Sequence, residues 1–240
     1  MIDQAQRLRQ LAGKGSARVR RASPPGNEGG TNASPCVSIA VTSGKGGVGK
    51  SNMALMVSVA LAAAGKQVLL LDADLGLANI HILLGLAPKY NVSHVIERQC
   101  GLDDIIRTGP GGINIIPGAS GLESMANLEP LRLEMLRRQL SVVEQRHDFI
   151  VIDTSAGIGR ATTGFAACAD VALLVMTPEP TSLADAYAMV KVLYEKGVTT
   201  VPVVVNMAVS EREGREVFDR LNALVVKFLK RPLELAEIVP

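Results

Sequence analysis

A short run near the start of the chain, residues 44–51, has the composition of a loop that binds nucleotide phosphates. It reads Gly-Lys-Gly-Gly-Val-Gly-Lys-Ser and fits the pattern G-x-x-x-x-G-K-[ST]. In that pattern glycines let backbone N–H groups converge on the phosphates, while the lysine and the hydroxyl serve the terminal phosphates and Mg²⁺. The sequence therefore predicts a triphosphate site, with Ser51 as a metal ligand. The residues expected to contact the nucleotide are Gly44, Lys45, Gly46, Gly47, Val48, Gly49, Lys50, Ser51 and Asn52.

The segments on either side of this loop have the patterns of a strand and a helix. An apolar run rich in β-branched residues, 36–42, precedes the loop, and residues 52–64 follow it with apolar side chains at helical spacing. A helix that starts at the loop directs its free N–H groups and the positive end of its dipole at a bound anion. A Gly-rich turn can also simply close a tight connection, but the full pattern in this setting favours phosphate binding.

Apolar runs of strand length recur along the rest of the chain, at 67–72, 112–117, 148–153, 171–177, 201–206 and 235–239. Two stretches, 68–71 and 149–152, are continuously hydrophobic, which is typical of strands covered on both faces. The pattern predicts an α/β fold of three layers, a mostly parallel sheet flanked by helices, as in P-loop NTPases. A helix over 215–230 has an apolar stripe like that of a membrane binder, but we expect the stripe to cover the sheet.

Polar side chains follow several of the predicted strands. Because ligands bind beyond the carboxyl ends of parallel strands, we expect Asp72, Asp74, Asp153 and Asn206 to lie near the glycine loop. Asp153 would hold the metal ion, with Asp72 as a further metal ligand. Asp74 is placed to reach a water molecule near the terminal phosphate, which makes it, with Lys50, a candidate catalytic residue. Each of these residues has an alternative role, since Asp and Asn commonly start turns or cap helices.

The residues after one late strand bear on which base is bound. GTPases usually read guanine with an Asn-Lys-x-Asp motif, whereas the corresponding stretch here is Asn206 followed by Met, Ala and Val. The lysine and the aspartate that would discriminate guanine are missing from this stretch. ATP, with Mg²⁺, is therefore the predicted ligand, and Asn206 the candidate residue for contact with its base.

Composition and charge limit the number of domains, the class of partner and the location of the protein. At 240 residues, 48% hydrophobic and 20% charged, the chain is long enough for one compact domain and a tail. Residues 1–35 carry a net charge of +4, so the total of +2 leaves about −2 on residues 36–240 and argues against a dedicated nucleic-acid surface. No run has the length of a membrane span or the pattern of a signal peptide, so we expect the protein in the cytoplasm.

Lys45 is the residue that the general phosphate-loop pattern leaves unexplained. With it, the loop resembles that of the deviant Walker A ATPases, the MinD/ParA family, which carries an extra signature lysine in K-G-G-x-G-K-[ST]. In that family the lysine reaches the nucleotide of a partner subunit, and two protomers enclose two ATP molecules. The resemblance implies that Lys45 is catalytic in trans and that ATP binding drives formation of a homodimer.

The resemblance extends over residues 36–240. Segment 72–79 (DADLGLAN) resembles the first switch of MinD-type proteins, and 153–159 (DTSAGIG) resembles the second. Segments 177–187 (TPEPTSLADAY) and 3–9 (DQAQRLR) are similar to the flagellar FlhG/FleN branch. In that branch the N-terminal motif contacts the GTPase FlhF and stimulates its hydrolysis of GTP. The residues that match it here are Asp3, Gln4, Ala5, Leu8 and Arg9.

These features predict three parts: a partner-activating helix motif at 1–12, a flexible linker at 13–35 and an ATPase domain at 36–240. The family continues into an amphipathic membrane helix that is absent from this sequence, so peripheral binding to the membrane at the cell pole is expected only through such a segment. By resemblance, the partners are FlhF, flagellar switch or basal-body proteins and a flagellar transcription regulator.

The resemblance implies a slow, switch-type ATPase that regulates the number and placement of flagella. One alternative is a MinD or ParA ATPase that positions the division site, DNA or other cargo. The other is a dimer locked by ATP that sequesters a transcription regulator without needing turnover.

Overall fold

The computed structural model describes residues 36–74, 78–119 and 130–240, and its centre is a sheet of eight strands. The strands are β1 (Val37–Ser43), β2 (Val68–Ala73), β3 (Arg107–Thr108), β4 (Asn114–Ile116), β5 (Phe149–Ala156), β6 (Val171–Met176), β7 (Pro202–Val205) and β8 (Glu234–Ile238). The helices are α1 (Lys50–Ala63), α2 (Ile80–Leu83), α3 (Val92–Ile96), α4 (Leu102–Ile105), α5 (Pro130–Glu144), α6 (Arg160–Cys168), α7 (Pro180–Glu195) and α8 (Glu211–Leu229).

The sheet has the strand order β3-β4-β2-β5-β1-β6-β7-β8. All neighbouring strands run parallel except β3 and β4, which are antiparallel. The predicted fold class, a mostly parallel sheet flanked by helices, is therefore confirmed. The short strand β3 was not predicted, and the other strand boundaries differ from the expected ones by a few residues.

Alternate side chains of the strands enter two separate cores, because successive residues of a strand point to opposite faces. In β2, Leu69 and Leu71 pack into the core that α3–α8 cover, while Val68 and Leu70 pack into the core that α1 and α2 cover. All four side chains are almost completely buried. Burial on both faces explains why this strand reads as a continuous hydrophobic run.

Helix α8 begins four residues earlier than predicted, at a cap formed by Ser210, whose side chain accepts a hydrogen bond from the Glu213 N–H. Most of its apolar stripe is buried as expected, at Val217, Phe218, Leu221 and Val225, whereas Phe228 near its end is 58% exposed. Among the described residues, no helix has the length and hydropathy that a membrane span requires.

The predicted motif at 1–12 and the linker at 13–35 lie outside the described residues, as do positions 75–77 of the first switch-like segment.

Candidate functional site

The glycine loop joins β1 to α1, and two of its glycines have backbone angles that only glycine adopts readily. Gly47 and Gly49 have φ angles of 79° and 84°. Gly49 is also the N-cap of α1, and a Cβ atom on it would lie only 2.4 Å from Asn206 Nδ2. At the start of the loop, a Cβ on Gly44 would lie 2.1 Å from the Asp185 carbonyl oxygen in α7. The loop therefore needs glycine both for its turns and for its close packing.

The first turn of α1 is suited to an anion. The helix has no side-chain cap and no acidic residue in its first turn. Its free N–H groups and the positive end of its dipole are consequently left for a ligand. Lys50, the first residue of the helix, is nearly buried, and its ammonium nitrogen lies 3.5 Å from Asp153 Oδ1.

Asp153 lies in β5 beside this helix start, and its carboxylate is fully buried. Neither of its oxygens has a well-formed hydrogen bond to another described residue. Burial raises the pKa of Asp153, while the neighbouring Lys50 ammonium and Ser51 hydroxyl act in the opposite direction. A buried carboxylate with unsatisfied oxygens, next to a hydroxyl, is a suitable ligand pair for Mg²⁺, which takes most of its other ligands from water and phosphate.

Asp72 is the register partner of Asp153 in the adjacent strand β2 and is also fully buried. Its two oxygens accept hydrogen bonds from the backbone N–H groups of Asp74 (3.2 Å) and Ile80 (3.0 Å). Burial, followed by the Asp153 carboxylate, raises the pKa of Asp72 to about 7. Asp72 thus anchors both ends of the segment that follows β2, and its role as a metal ligand stays a prediction.

Asp74 contacts the end of β5. The Ser155 hydroxyl donates a hydrogen bond of 3.1 Å to Asp74 Oδ1, and both residues are half-buried. This bond connects the two segments that resemble switches. Sequence analysis missed Ser155, although a hydroxyl two positions after the predicted metal-holding carboxylate was a usable signal.

Lys45 points at the beginning of α7 in its own protomer. Its ammonium group donates hydrogen bonds to the Glu179 carboxylate and to Thr181 Oγ1, the latter at 3.0 Å. The hydrogen bond from Lys45 lowers the pKa of Glu179. Sequence analysis also missed this contact, because segment 177–187 was singled out only for its resemblance.

Asn206 follows β7 and supports the loop from the other side. Its side-chain amide donates a hydrogen bond of 2.9 Å to the Val48 carbonyl oxygen. A cavity of about 390 Å³ lies between the start of α8 and β8. Its lining includes Ala208 and Ser210, which follow Asn206 closely in the sequence, and Pro240. Contact between Asn206 and a base stays a prediction.

The structure thus brings Lys50, Asp153, Asp72 and Asp74 together around the start of α1. Ser51 and Asn52 lie in the first turn of that helix. The predicted partner-binding residues lie outside the described residues: Asp3, Gln4, Ala5, Leu8 and Arg9. The described residues contain no cluster of three or more His, Cys, Asp or Glu side chains that could hold a metal ion alone.

Comparisons with known proteins agree with this geometry. The model of a family described as AAA domain matches residues 37–200. The antiactivator FleN of Pseudomonas aeruginosa is 45% identical over 207 residues, which cover 86% of this chain and 74% of FleN. The flagellum site-determining protein YlxH of Helicobacter pylori is 36% identical over 76% of this chain. The match covers 62% of YlxH, which is less than two thirds of its length.

A solved structure shares the fold as well. It is the septum site-determining protein MinD of Pyrococcus horikoshii in complex with Mg-ADP, which superposes with a TM-score of 0.65. The two chains are 28% identical, and the match covers 76% of this chain and 77% of that one.

Proposed function

Because this chain belongs to the AAA-domain family of MinD/ParA-type ATP-binding proteins, in the branch that contains FleN and YlxH, we propose that it is an ATPase that regulates flagella by switching between a monomer and an ATP-bound dimer. The observation that carries the proposal is the pairing of the uncapped start of α1 with the buried, unsatisfied carboxylate of Asp153. This arrangement fits a triphosphate with its cation, because without them the two buried carboxylate oxygens of Asp153 have the Lys50 ammonium nearby but no well-formed hydrogen bonds to other described residues.

Different residues of the site bind the phosphates, the cation and the base. The loop N–H groups and the Lys50 ammonium hold the phosphates, while Ser51 and Asp153 hold Mg²⁺. When bound, Mg²⁺ neutralises the charge that develops on the phosphate oxygens during hydrolysis. Asp72 holds the backbone at Asp74 and at Ile80 through one hydrogen bond each. The base lies toward Asn206 and the cavity beside α8.

Hydrolysis is assigned to Asp74, which orients the attacking water molecule. Phosphoryl transfer depends mainly on positioning and charge stabilisation, so a single carboxylate that fixes the water has a large effect. The hydrogen bond from Ser155 holds this carboxylate in one orientation.

Lys45 completes the partner's site in the dimer, where its charge meets the triphosphate of the second protomer. The dimer would present surfaces that the monomer lacks, so ATP binding and hydrolysis set which partners bind. Those partners are an FlhF-type GTPase, stimulated by the motif at 1–12, together with flagellar switch or basal-body proteins and a transcription regulator.

A turnover assay tests the catalytic part of the proposal. We expect Asp74→Ala to bind ATP with nearly parental affinity, to remain dimeric with ATP and to release phosphate at least about tenfold more slowly. Equal phosphate release by the variant and the parent would remove Asp74 from the mechanism.

A deletion tests the flagellar part. A variant without residues 1–12 should no longer stimulate GTP hydrolysis by FlhF, while its ATP binding and dimerisation remain unchanged. Unchanged stimulation would favour the alternative of a MinD- or ParA-type ATPase with another cargo.

A second candidate function is sequestration of a transcription regulator by the ATP-bound dimer. The name of the Pseudomonas relative, an antiactivator, favours it. Binding of the regulator by the Asp74→Ala dimer at full strength would separate this function from turnover.

A further inference from the structure

The signature lysine of this chain already has a partner within its own protomer. Lys45 donates hydrogen bonds to the Glu179 carboxylate and to the Thr181 hydroxyl. The side chain of Lys45 is 35% exposed and that of Glu179 is 61% exposed. The contact therefore lies at the surface, where a second protomer can reach it.

The fold brings these residues together through neighbouring strands. Lys45 follows β1, Glu179 follows β6, and the two strands pair in parallel, so both residues emerge at the same edge of the sheet. The loop also packs directly on the backbone of α7 at Gly44, and the Ser43 hydroxyl donates a hydrogen bond of 2.8 Å to the Lys45 carbonyl oxygen. The backbone of Lys45 is thus fixed beside the first turn of α7.

The electrostatics at this position make Glu179 essential to the contact. Glu179 is the N-cap residue of α7, where the helix dipole is positive and repels a cation. A carboxylate is favourable there, and its negative charge offsets the repulsion between the helix end and the Lys45 ammonium. Because exposed ion pairs are weak and screened by salt, Lys45 is held but can be released.

We propose that Glu179 is a counter-ion that retains Lys45 on its own protomer and thereby sets the ATP and protein concentration at which two protomers pair. This inference rests on the proposed function, in which Lys45 reaches the triphosphate of the partner. To reach the triphosphate of the partner, the Lys45 ammonium group has to move away from the Glu179 carboxylate on its own protomer. Formation of a dimer therefore requires the release of two such contacts, and the phosphates must outcompete Glu179 on each side.

The dimer dissociation constant tests the proposal. Sedimentation velocity with a non-hydrolysable ATP analogue, over a range of protein concentrations, gives this constant for the parent, Glu179→Gln and Glu179→Ala. We expect it to fall by about two- to twenty-fivefold in both variants, because an exposed ion pair contributes a factor of roughly 1.5–5 and two are released. The effect should shrink at high salt, which screens the pair in the parent.

A matched control is Glu216→Gln, which breaks an exposed ion pair with Arg212 on α8, at 2.9 Å, and should leave the constant unchanged. A dissociation constant for Glu179→Gln equal to that of the parent, or higher, would overturn the proposal. If the parent itself does not dimerise with the analogue, the proposed function fails first. If the parent dimerises and the Glu179 variants have the same dimer dissociation constant as the parent, the inference fails while the proposed function stands.

A second measurement does not depend on dimerisation. In the nucleotide-free protein, an amine-reactive N-hydroxysuccinimide ester should modify Lys45 at least about twofold faster in Glu179→Ala than in the parent, because the variant leaves the ammonium group without its carboxylate. Lys196, which is exposed at the other end of α7, serves as the internal reference for mass spectrometry. Equal rates at Lys45 in both proteins would show that Glu179 does not retain the lysine.

Discussion

Substitution of Gly49 by alanine separates the two reasons why the loop requires glycine. The residue has a φ angle of 84°, and a Cβ atom there would lie 2.4 Å from Asn206 Nδ2. Gly197 provides a matched control, because its φ angle is 83° and nothing lies within 4 Å of its added Cβ. Both alanines are strained by the left-handed backbone, but only Gly49→Ala forces a neighbour to move.

The structure gives the size of each effect. The left-handed backbone costs an alanine about 1–2 kcal/mol at either position. At Gly49, Asn206 must also retreat by about 1 Å, which breaks its 2.9 Å hydrogen bond to the Val48 carbonyl oxygen and costs about 1 kcal/mol more. We therefore expect Gly49→Ala to be less stable than Gly197→Ala by about 1 kcal/mol. Because Val48 belongs to the phosphate loop, affinity for ATP should fall at least about tenfold in Gly49→Ala alone.

Urea unfolding gives the stabilities of both variants, and calorimetric titration gives their affinities for ATP. The decisive comparison is between the two affinities. If Gly49→Ala and Gly197→Ala bind ATP equally well, the contact between Asn206 and the loop does not shape the site, and the reasoning is wrong.

Two further predictions concern the carboxylates of the site. The Ser155→Ala variant should have a kcat for ATP about fivefold lower than the parent, with little change in KM, because the variant lacks the 3.1 Å hydrogen bond to Asp74. Ser141→Ala on α5 is the control. A changed KM with parental kcat would contradict the prediction. The pKa of Asp72 is raised from 3.8 to about 7, so the folded, nucleotide-free protein binds more protons than the unfolded chain between these values. Its free energy of unfolding should therefore fall by about 2 kcal/mol between about pH 5.5 and about pH 7, as measured by urea unfolding, whereas a rise over this range would refute the assigned direction.

Hydrophobic pattern was enough to predict the central part of the fold. Strand β1, the glycine loop and α1 lie within two residues of their expected boundaries, and β5 is longer than expected at its carboxyl end. These elements carry strong local signals, since the strands are apolar on both faces and the loop has a specific glycine spacing.

Elements with weak local signals were missed. Strand β3 contains only Arg107 and Thr108, and it exists because its backbone pairs with β4. Helices α2, α3 and α4 have four or five residues each, too short for a helical period to appear. Their positions depend on packing against the sheet, which a single sequence does not specify.

In the site, too, some features have a strong local sequence signal and others have none. The approach of Asp72 to Asp153 was predictable, because both follow apolar runs that end at the same edge of a parallel sheet. The hydrogen bonds from Ser155 to Asp74 and from Lys45 to Glu179 join residues 81 and 134 positions apart. Such contacts depend on how elements cross, so residue type and spacing can single out a residue such as Ser155 but do not identify its partner.

The mass of the loaded protein tests the central claim most directly. Light scattering should give the mass of a monomer with ADP and twice that mass with a non-hydrolysable ATP analogue and Mg²⁺. Lys45→Gln should remain monomeric with the analogue while it still binds nucleotide. A parent protein that stays monomeric with the analogue, or a Lys45→Gln variant that dimerises like the parent, would contradict an ATP-driven switch that depends on this lysine.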